Sequence, residues 1–306
     1  MNDKILVTDS LFIFDEHIKK LNGAGFEVER LDKPSATEDE LVSALEGKVG
    51  YIVGGIERVT EPLLKRVDGL KVIGVTATAW QSFVPGAEIA KSKGIMIANT
   101  PHANASAVAE WTFSASLAMV RNLFTLGRTG KDTFKTSPGF GDLKVGIVGL
   151  GSIGEHLAQL YKDINVKSVK YWSHTQKQTD FDYQEIDELL SSSDIICFCV
   201  SVDAGADFVN AEKLSKVKAG AIVTVLSDAS LNEEALYKEL ASGRLRAFLD
   251  WTPKDVRWKD LSLETFYCSN ESAAYNTHFA NKVASDWITE SMINLLKTGE
   301  DQHRVL

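Results

Sequence analysis

Short runs of aliphatic and β-branched residues alternate with longer amphipathic stretches along almost the whole chain. In the first hundred residues the pattern predicts strands at 4–8, 26–31, 50–53, 71–76 and 95–99. Helices are predicted between them, at 12–24, 38–45, 61–67 and 87–93. Such alternation predicts a parallel sheet with helices on both faces. A segment of this size corresponds to one flavodoxin-like domain.

A second series of the same kind follows a predicted helix at residues 105–128. That helix has few polar positions, so we expect it to be buried between domains or subunits. Residues 130–141, which contain Thr, Ser, Pro and several glycines, are predicted to form a loop. Further strands are predicted at 145–149, 169–172, 194–200, 221–226 and 247–250, with a closing helix at 283–296. The predicted fold class is therefore α/β, with two doubly wound parallel-sheet domains.

Composition limits the partners of the chain. Its 306 residues carry a formal net charge of -9, which disfavours nucleic acid as a partner because a backbone-binding protein needs a basic surface. The three cysteines, Cys197, Cys199 and Cys268, are too few for a disulfide scaffold and favour a reducing cytoplasm. We expect no membrane association, since no apolar run approaches the roughly 18 residues of a span and the N-terminal run is too short for a signal peptide.

The most specific motif is Gly149-Leu150-Gly151-Ser152-Ile153-Gly154, between a predicted strand and a predicted helix. Gly149 permits a tight turn, Gly151 lets the backbone approach a pyrophosphate, and Gly154 allows close packing of helix and strand. The amides of the first helical turn, including those of Ser152 and Ile153, would face the phosphates. The motif predicts a nicotinamide dinucleotide site. The alternative is a structural turn that binds nothing.

The residues after the next predicted strand bear on the choice between NADP and NAD. An acid is expected there to accept a hydrogen bond from the ribose 2′-hydroxyl, and Ser173 occupies that position. No carboxylate is present to repel a 2′-phosphate, and Ser173, His174, Thr175 and Lys177 could receive one. The pattern favours NADP over NAD. The alternative is a solvated loop that tolerates either cofactor.

Several matches in order, not the glycine motif alone, carry a resemblance that runs nearly end to end. Besides that motif they are Leu70-Lys71-Val72-Ile73-Gly74, Gly94-Ile95-Met96-Ile97, Ala98-Asn99-Thr100-Pro101, Asn104-Ala105-Ser106-Ala107-Val108-Ala109-Glu110, Lys218-Ala219-Gly220-Ala221-Ile222-Val223 and Ala247-Phe248-Leu249-Asp250. The chain resembles the D-isomer-specific 2-hydroxyacid dehydrogenases.

The resemblance implies an inserted-domain architecture. Residues 1–100 and 272–306 would form a flavodoxin-like substrate domain, and residues 101–271 a Rossmann cofactor domain. Small-molecule chemistry would take place between them, Asp250 would lie near the nicotinamide carboxamide, and the protein would be a homodimer.

The positions that carry the family's chemistry are altered. The family's Arg, which holds the substrate carboxylate, falls at Asp228, and its acid/base His falls at Glu271. Its Glu falls at Asp255, which keeps a carboxyl on a shorter side chain. A carboxylate-binding loop resembles residues 76–81, but Ala79 and Gln81 stand where Gly is usual, and neither adopts positive φ cheaply.

Two classes of function follow from these replacements. In the first, an active NAD(P)-dependent oxidoreductase uses Glu271, Asp255 and Asp228, and mutual repulsion raises one carboxyl pKa so that it can donate a proton. His102 and His278 are spare acid/base candidates, and Lys254 or Arg257 could supply the missing positive charge. In the second, the protein binds a dinucleotide without catalysis, as a sensor or assembly partner. A hydrolase that uses Cys197 or Cys199 is disfavoured, because both lie on a predicted buried strand.

Overall fold

The computed structural model describes residues 3–8, 13–33, 36–129, 136–200, 205–269 and 274–306. The chain divides into two compact units. One comprises Met1–Asn104 and Asn276–Leu306, and the other comprises Ala105–Tyr275. The sequence predicted domain boundaries after residues 100 and 271. Each lies four residues before the point where the chain passes from one unit to the other, which is after residue 104 and after residue 275.

The first unit contains a five-stranded parallel sheet in the order β2-β1-β3-β4-β5. Its strands are β1 (Lys4–Thr8), β2 (Glu27–Leu31), β3 (Lys48–Val53), β4 (Val72–Val75) and β5 (Met96–Asn99), and its first helices are α1 (Asp15–Gly23), α2 (Glu38–Leu45), α3 (Glu61–Arg66) and α4 (Ala87–Ser92). This strand order is that of flavodoxin. On β1, Leu6 packs in one buried cluster while Ile5 and Val7 pack in another, because successive side chains point to opposite faces of the sheet.

The second unit contains a seven-stranded parallel sheet in the order β12-β11-β10-β9-β6-β7-β8. Its strands are β6 (Lys144–Val148), β7 (Ser168–Trp172), β8 (Asp182–Tyr183), β9 (Ile195–Phe198), β10 (Ile222–Val225), β11 (Arg246–Leu249) and β12 (Phe266–Cys268). Its helices are α5 (Ala105–Val120), α6 (Leu123–Thr129), α7 (Ser152–Asp163), α8 (Ile186–Ser192), α9 (Ala211–Lys216) and α10 (Glu233–Ala241). Apart from β12 at the edge, this is the Rossmann order.

The single helix predicted at 105–128 is wrong, because the chain breaks between α5 and α6. Asn122 adopts a left-handed conformation with φ 52°. The Arg246 guanidinium from β11 donates to the Met119 carbonyl at 2.6 Å and to Asn122 Oδ1 at 2.7 Å, so it satisfies the carboxyl end of α5. A side chain more than a hundred positions away contacts the chain at this break, and the local apolar pattern could not reveal that contact.

The last helix, α11 (His278–Thr298), returns the chain to the first unit. Its residues Ile288, Met292 and Leu295 are buried in the cluster that contains Ile5 and Val7. Beyond the helix the chain pairs with β5, where the Val305 amide donates to the Ile97 carbonyl at 2.8 Å. Both units are doubly wound α/β domains, and the predicted fold class is confirmed.

Candidate functional site

The glycine motif lies at the topological switch point of the second sheet. Strand β6 pairs with β7 on one side and with β9 on the other, so successive connections leave it in opposite directions. Ligands of doubly wound domains bind beyond the carboxyl ends of the strands at such a point. The motif joins the carboxyl end of β6 to α7, which begins at Ser152.

The three glycines of the motif differ in backbone conformation and in the space available for a side chain. Gly149 has φ +99°, and a Cβ there would lie 2.8 Å from the Cys199 carbonyl oxygen. A Cβ on Gly154 would lie 2.2 Å from the Gly149 carbonyl oxygen. At Gly151, by contrast, a Cβ would meet no atom of the described residues within 4 Å, and its extended φ of -96° suits any residue. Gly149 and Gly154 are thus required by the fold, whereas the open space at Gly151 suits the close approach of a ligand.

The beginning of α7 has the properties of an anion site. Gly151 is its N-cap residue, and no described side chain accepts a hydrogen bond there. The amides of Ser152, Ile153 and Gly154 cannot have partners within the helix, and the helix dipole is positive at this end. The Ile153 side chain packs against the core, so only its backbone can serve a ligand. The residues present therefore fit a pyrophosphate.

The end of β7 lies directly beside the glycine motif, since the Gly149 amide donates to the Trp172 carbonyl at 2.8 Å. Ser173 follows and is 8% exposed, and its hydroxyl donates to the Thr175 carbonyl at 2.7 Å. The His174 ring contacts the Trp172 ring edge-on, with centroids 4.9 Å apart. The structure thus brings Ser173, His174 and Thr175 together next to Gly149, and this loop has no carboxylate between 173 and 177.

Asp250 follows β11, and its carboxylate holds two separate pieces of chain. It accepts a hydrogen bond from the Ser269 hydroxyl at 2.7 Å and another from the Ala274 amide at 2.9 Å. Thr252 supports the same contact, because its hydroxyl donates to the Ser269 carbonyl at 3.1 Å. These donors flank residues 270–273, and Asp250 therefore joins the two ends of that segment. The predicted contact of Asp250 with a carboxamide stays a prediction.

Glu271 lies outside the described residues. Helix α11 begins at His278, with Thr277 as its N-cap. The His278 ring stacks on Phe14 in the first unit, with centroids 5.4 Å apart, so it has a packing role there.

Asp255, one of the three candidate carboxyls, is paired with a cation. Its carboxylate accepts hydrogen bonds from the Arg257 amide at 2.9 Å and from Arg257 Nε at 2.8 Å. Arg257 also bonds Glu234 at 2.6 Å and lies over the Tyr237 ring. Hydrogen bonds from Arg257 lower the pKa of Asp255, and they raise the pKa of the guanidinium. The charge facing Asp255 is positive, and Asp255 is therefore not the carboxyl of the three whose pKa is raised.

Asp228 lies at the carboxyl end of β10, one residue after Ser227 and at the start of a short 3₁₀ turn. It is exposed, and its Oδ1 accepts a hydrogen bond from the Ala229 amide at 2.8 Å. Among the described residues it has no cationic partner within ion-pair distance. A carboxylate that has no ion-pair partner among the described residues therefore occupies the edge of the sheet where the resemblance places an Arg.

His102 lies in the first unit, in the turn after β5, and has a left-handed backbone with φ 63°. Its amide donates to the Thr78 hydroxyl at 2.9 Å, and the Asn99 side chain donates to the Thr78 carbonyl at 3.0 Å. The turn is thus tied to the 76–81 loop, and the imidazole is exposed. In that loop Ala79 has φ -84° and Gln81 is not among the residues of positive φ, so the loop forms without the backbone conformation that glycine would allow.

The cysteines lack the surroundings of nucleophiles. Cys197 is buried on β9, and burial raises the pKa of its thiol to about 12. Burial likewise raises the pKa of Cys199 well above its ordinary value. A thiol that stays protonated is a poor nucleophile, which argues against the hydrolase alternative.

Two residues near the predicted cofactor loop were missed by sequence reasoning. The Phe208 ring lies 6.0 Å from the Trp172 ring and 6.4 Å from the His174 ring, and Lys213 lies over Phe208. Both follow β9, far along the chain from Ser173, and no local motif marks them.

Within the described ranges, no helix is long and apolar enough to cross a membrane, and no cluster of His, Cys, Asp and Glu could hold a metal ion.

Comparison with known proteins identifies the family. The family described as "D-isomer specific 2-hydroxyacid dehydrogenase, NAD binding domain" matches residues 113–279, which is more than half of the chain. Among curated relatives, a D-3-phosphoglycerate dehydrogenase of Methanocaldococcus jannaschii is 28% identical over 312 residues, 96% of this chain and 57% of the relative. A hydroxypyruvate reductase of Thermotoga maritima is 27% identical over 267 residues, 82% of this chain and 86% of the relative.

The chain therefore spans little more than half the length of the first of these relatives. Among solved structures, that of a D-2-hydroxyisocaproate dehydrogenase superposes with a TM-score of 0.86 over 99% of each chain, at 20% identity. At that identity the likeness shows the shared fold alone. The matched family model and the relatives confirm the resemblance drawn from the sequence: the chain belongs to the family of D-isomer specific 2-hydroxyacid dehydrogenases.

Proposed function

We propose that the protein is an NAD(P)-dependent oxidoreductase that transfers a hydride to or from a small carbonyl or hydroxy compound, with acid/base groups that differ from those usual in its family. One observation carries the proposal. The fold requires Gly149 and Gly154, while Gly151 leaves open space in front of the uncapped end of α7. A turn with only a structural role has no need of glycine at that position.

The cofactor would be held by backbone groups of α7 and by the loop after β7. Amides of Ser152, Ile153 and Gly154 suit a pyrophosphate, and Ser173 suits the neighbouring ribose. When bound, the nicotinamide supplies or accepts the hydride. We favour NADP over NAD, since a carboxylate that would repel a 2′-phosphate is missing from residues 173–177.

Binding is tested by fluorescence titration of the purified protein with NADH and with NADPH, beside a Gly151→Asp variant. The aspartate would place a side chain and a negative charge in the open space, and we expect binding to be lost. A variant that binds both nucleotides as tightly as the parent would show that the site is elsewhere.

The proton chemistry would depend on Glu271. Asp255 is unsuited to donate a proton because Arg257 lowers its pKa, so the carboxylate stays ionised. Glu271 has a reference pKa of about 4.3, against about 6.5 for a histidine, so it acts as an acid at neutral pH only if its surroundings raise that pKa. His102 is the other candidate, since its exposed imidazole is held on a backbone that Thr78 fixes.

The substrate would differ from simple 2-keto acids. A bidentate Arg is the usual grip on a carboxylate, and Asp228 would repel one. Arg257 is held by Asp255 and Glu234, which leaves exposed Lys254 as the remaining candidate from the sequence analysis. We therefore expect negligible activity on pyruvate, glyoxylate and hydroxypyruvate.

The two units would have separate roles, and the protein would be a homodimer. The unit with the flavodoxin order would contribute substrate contacts and the Rossmann unit the cofactor site. Leu123 and Leu126 of α6 are 57% and 40% exposed, and a second copy would cover such apolar side chains. Light scattering of the purified protein would give the mass of a single chain if this assignment is wrong.

A non-catalytic dinucleotide-binding protein is the second candidate function. The hydrogen bonds between Arg257 and Asp255 favour this candidate. They give Asp255 a structural role, so that a third position of the family's chemistry, after Asp228 and Glu271, would no longer take part in catalysis. This candidate predicts tight NADPH binding with no turnover of any carbonyl compound.

A further inference from the structure

An aromatic wall follows the end of β7. It consists of Trp172, His174 and Phe208, three rings whose centroids lie 4.9 to 6.4 Å apart. Trp172 and His174 flank Ser173, while Phe208 comes from the chain after β9. The wall therefore stands beside the position where a Rossmann domain meets the ribose 2′ group.

Lys213 brings a positive charge to this wall. Its Nζ lies 4.5 Å from the centroid of the Phe208 ring, a distance at which an ammonium is attracted to the ring face. Among the described residues no carboxylate lies within ion-pair distance of Lys213. Lys216, on the same helix, instead pairs with Asp187 and Glu212 at 2.9 Å each. The charge of Lys213 thus remains available to a ligand.

Lys177, the lysine of the loop after β7, differs from Lys213 in how its side chain is placed. Its backbone amide and carbonyl both bond the Tyr171 hydroxyl, while its side chain is exposed. The Tyr171 hydroxyl thus fixes the backbone of Lys177 but not its ammonium. The Phe208 ring, in contrast, holds the ammonium of Lys213 against the wall, so less conformational entropy is lost when that ammonium binds an anion.

We propose that Lys213, together with His174, binds the 2′-phosphate of NADP(H) and so determines the preference for this cofactor; the inference rests on the proposed dinucleotide site. Three observations combine here: Ser173 stands where an acid would select NAD, the wall begins at the adjacent residues, and the ammonium on that wall has no counter-ion in the described part of the chain. A phosphate carries the negative charge that would pair with this ammonium.

The test compares two fragments of the cofactor by isothermal titration calorimetry. Adenosine 5′-monophosphate and adenosine 2′,5′-bisphosphate share every group except the 2′-phosphate. The variant is Lys213→Met, which keeps a flexible unbranched side chain at this position and removes the charge. Lys162→Met is the matched control, since Lys162 also lies over a phenylalanine ring, that of Phe181, at 5.3 Å.

The parent is expected to bind the bisphosphate more tightly than the monophosphate. Lys213→Met should weaken bisphosphate binding by about tenfold, as for the loss of one hydrogen bond to a charged group, and should change monophosphate binding by less than about twofold. Lys162→Met should bind both fragments as the parent does.

Three results would overturn the inference. They are equal affinities of the parent for the two fragments, an unchanged bisphosphate affinity in Lys213→Met, and an equal loss for both fragments in that variant. If the parent binds neither fragment, the proposed dinucleotide site fails as well. If it binds both equally, the dinucleotide site stands and only the phosphate inference is wrong.

Discussion

Alanine substitutions at two glycines of one motif separate folding from binding. Gly154→Ala adds a methyl group 2.2 Å from the Gly149 carbonyl oxygen and 3.2 Å from Ile147 Cγ2. Contacts this short force the helix and the loop apart. Overpacking of this kind costs about 1–3 kcal/mol, from which the better helix propensity of alanine recovers roughly 1 kcal/mol.

Gly151→Ala adds the same methyl group where no described atom lies within 4 Å, on a backbone that alanine adopts freely. Its cost should stay below about 1 kcal/mol, the difference between Gly and Ala at a helix N-cap. The methyl group would, however, hold a pyrophosphate away from the amides of α7. Loss of one hydrogen bond to a charged group, about 1.5–3 kcal/mol, lowers affinity tenfold or more.

The assay pairs thermal unfolding with NADPH titration for the parent and both variants. Gly154→Ala should lower the apparent melting temperature of the second unit by up to about 8 °C, and Gly151→Ala should change it less. Gly151→Ala should nevertheless lose most NADPH affinity. The reasoning is refuted if Gly151→Ala is the less stable variant, or if it binds NADPH like the parent.

Three further predictions follow from single positions. Ser173→Asp should shift the preference toward NADH by repelling the 2′-phosphate, and equal affinities of the parent for NADH and NADPH, measured by competitive titration, would contradict the premise. Glu271→Gln should abolish turnover of the true substrate without loss of NADPH binding, because an amide cannot replace the acid; a variant that still turns over would transfer that role to His102. Burial raises the pKa of Asp301, but hydrogen bonds from Asn294, Ser291 and the His303 amide outweigh it and leave the pKa lowered. The ionised form therefore stabilises the fold above the unfolded pKa of about 3.9. The stability deficit of Asp301→Asn, followed by urea unfolding, should shrink as pH falls below about 4, and a deficit independent of pH would count against this pairing.

The fold was predictable from sequence because its determinants are local. Strand β1 and helix α2 begin and end at the predicted residues, because the apolar run Ile5-Leu6-Val7 and the capping box of Thr37, directly before α2, are local features of the chain. The glycine motif was predictable for the same reason, because its turn, its close contact and its helix end all fall within six residues.

The charges and contacts of the side chains at the candidate site were less predictable, because they depend on residues far away along the chain. The charge of Asp255 is set by Arg257, which in turn is held by Glu234 from α10, and no spacing rule reveals that connection. Arg246 contacts the chain at the break near Asn122, and Phe208 completes the aromatic wall at His174. Side-chain networks that join separate strands therefore leave no signature in a local motif.

One turnover screen tests the central claim, that this family member performs redox chemistry with altered acid/base groups. The purified parent is incubated with NADPH or NADH and a panel of keto acids, aldehydes and ketones, while the absorbance of the reduced nicotinamide is followed. We expect oxidation with at least one carbonyl compound outside the simple keto acids, and none above background with pyruvate, glyoxylate or hydroxypyruvate. Efficient reduction of glyoxylate or hydroxypyruvate would show that the groups assigned as missing are supplied by other residues, and tight NADPH binding without any turnover would leave the non-catalytic function in its place.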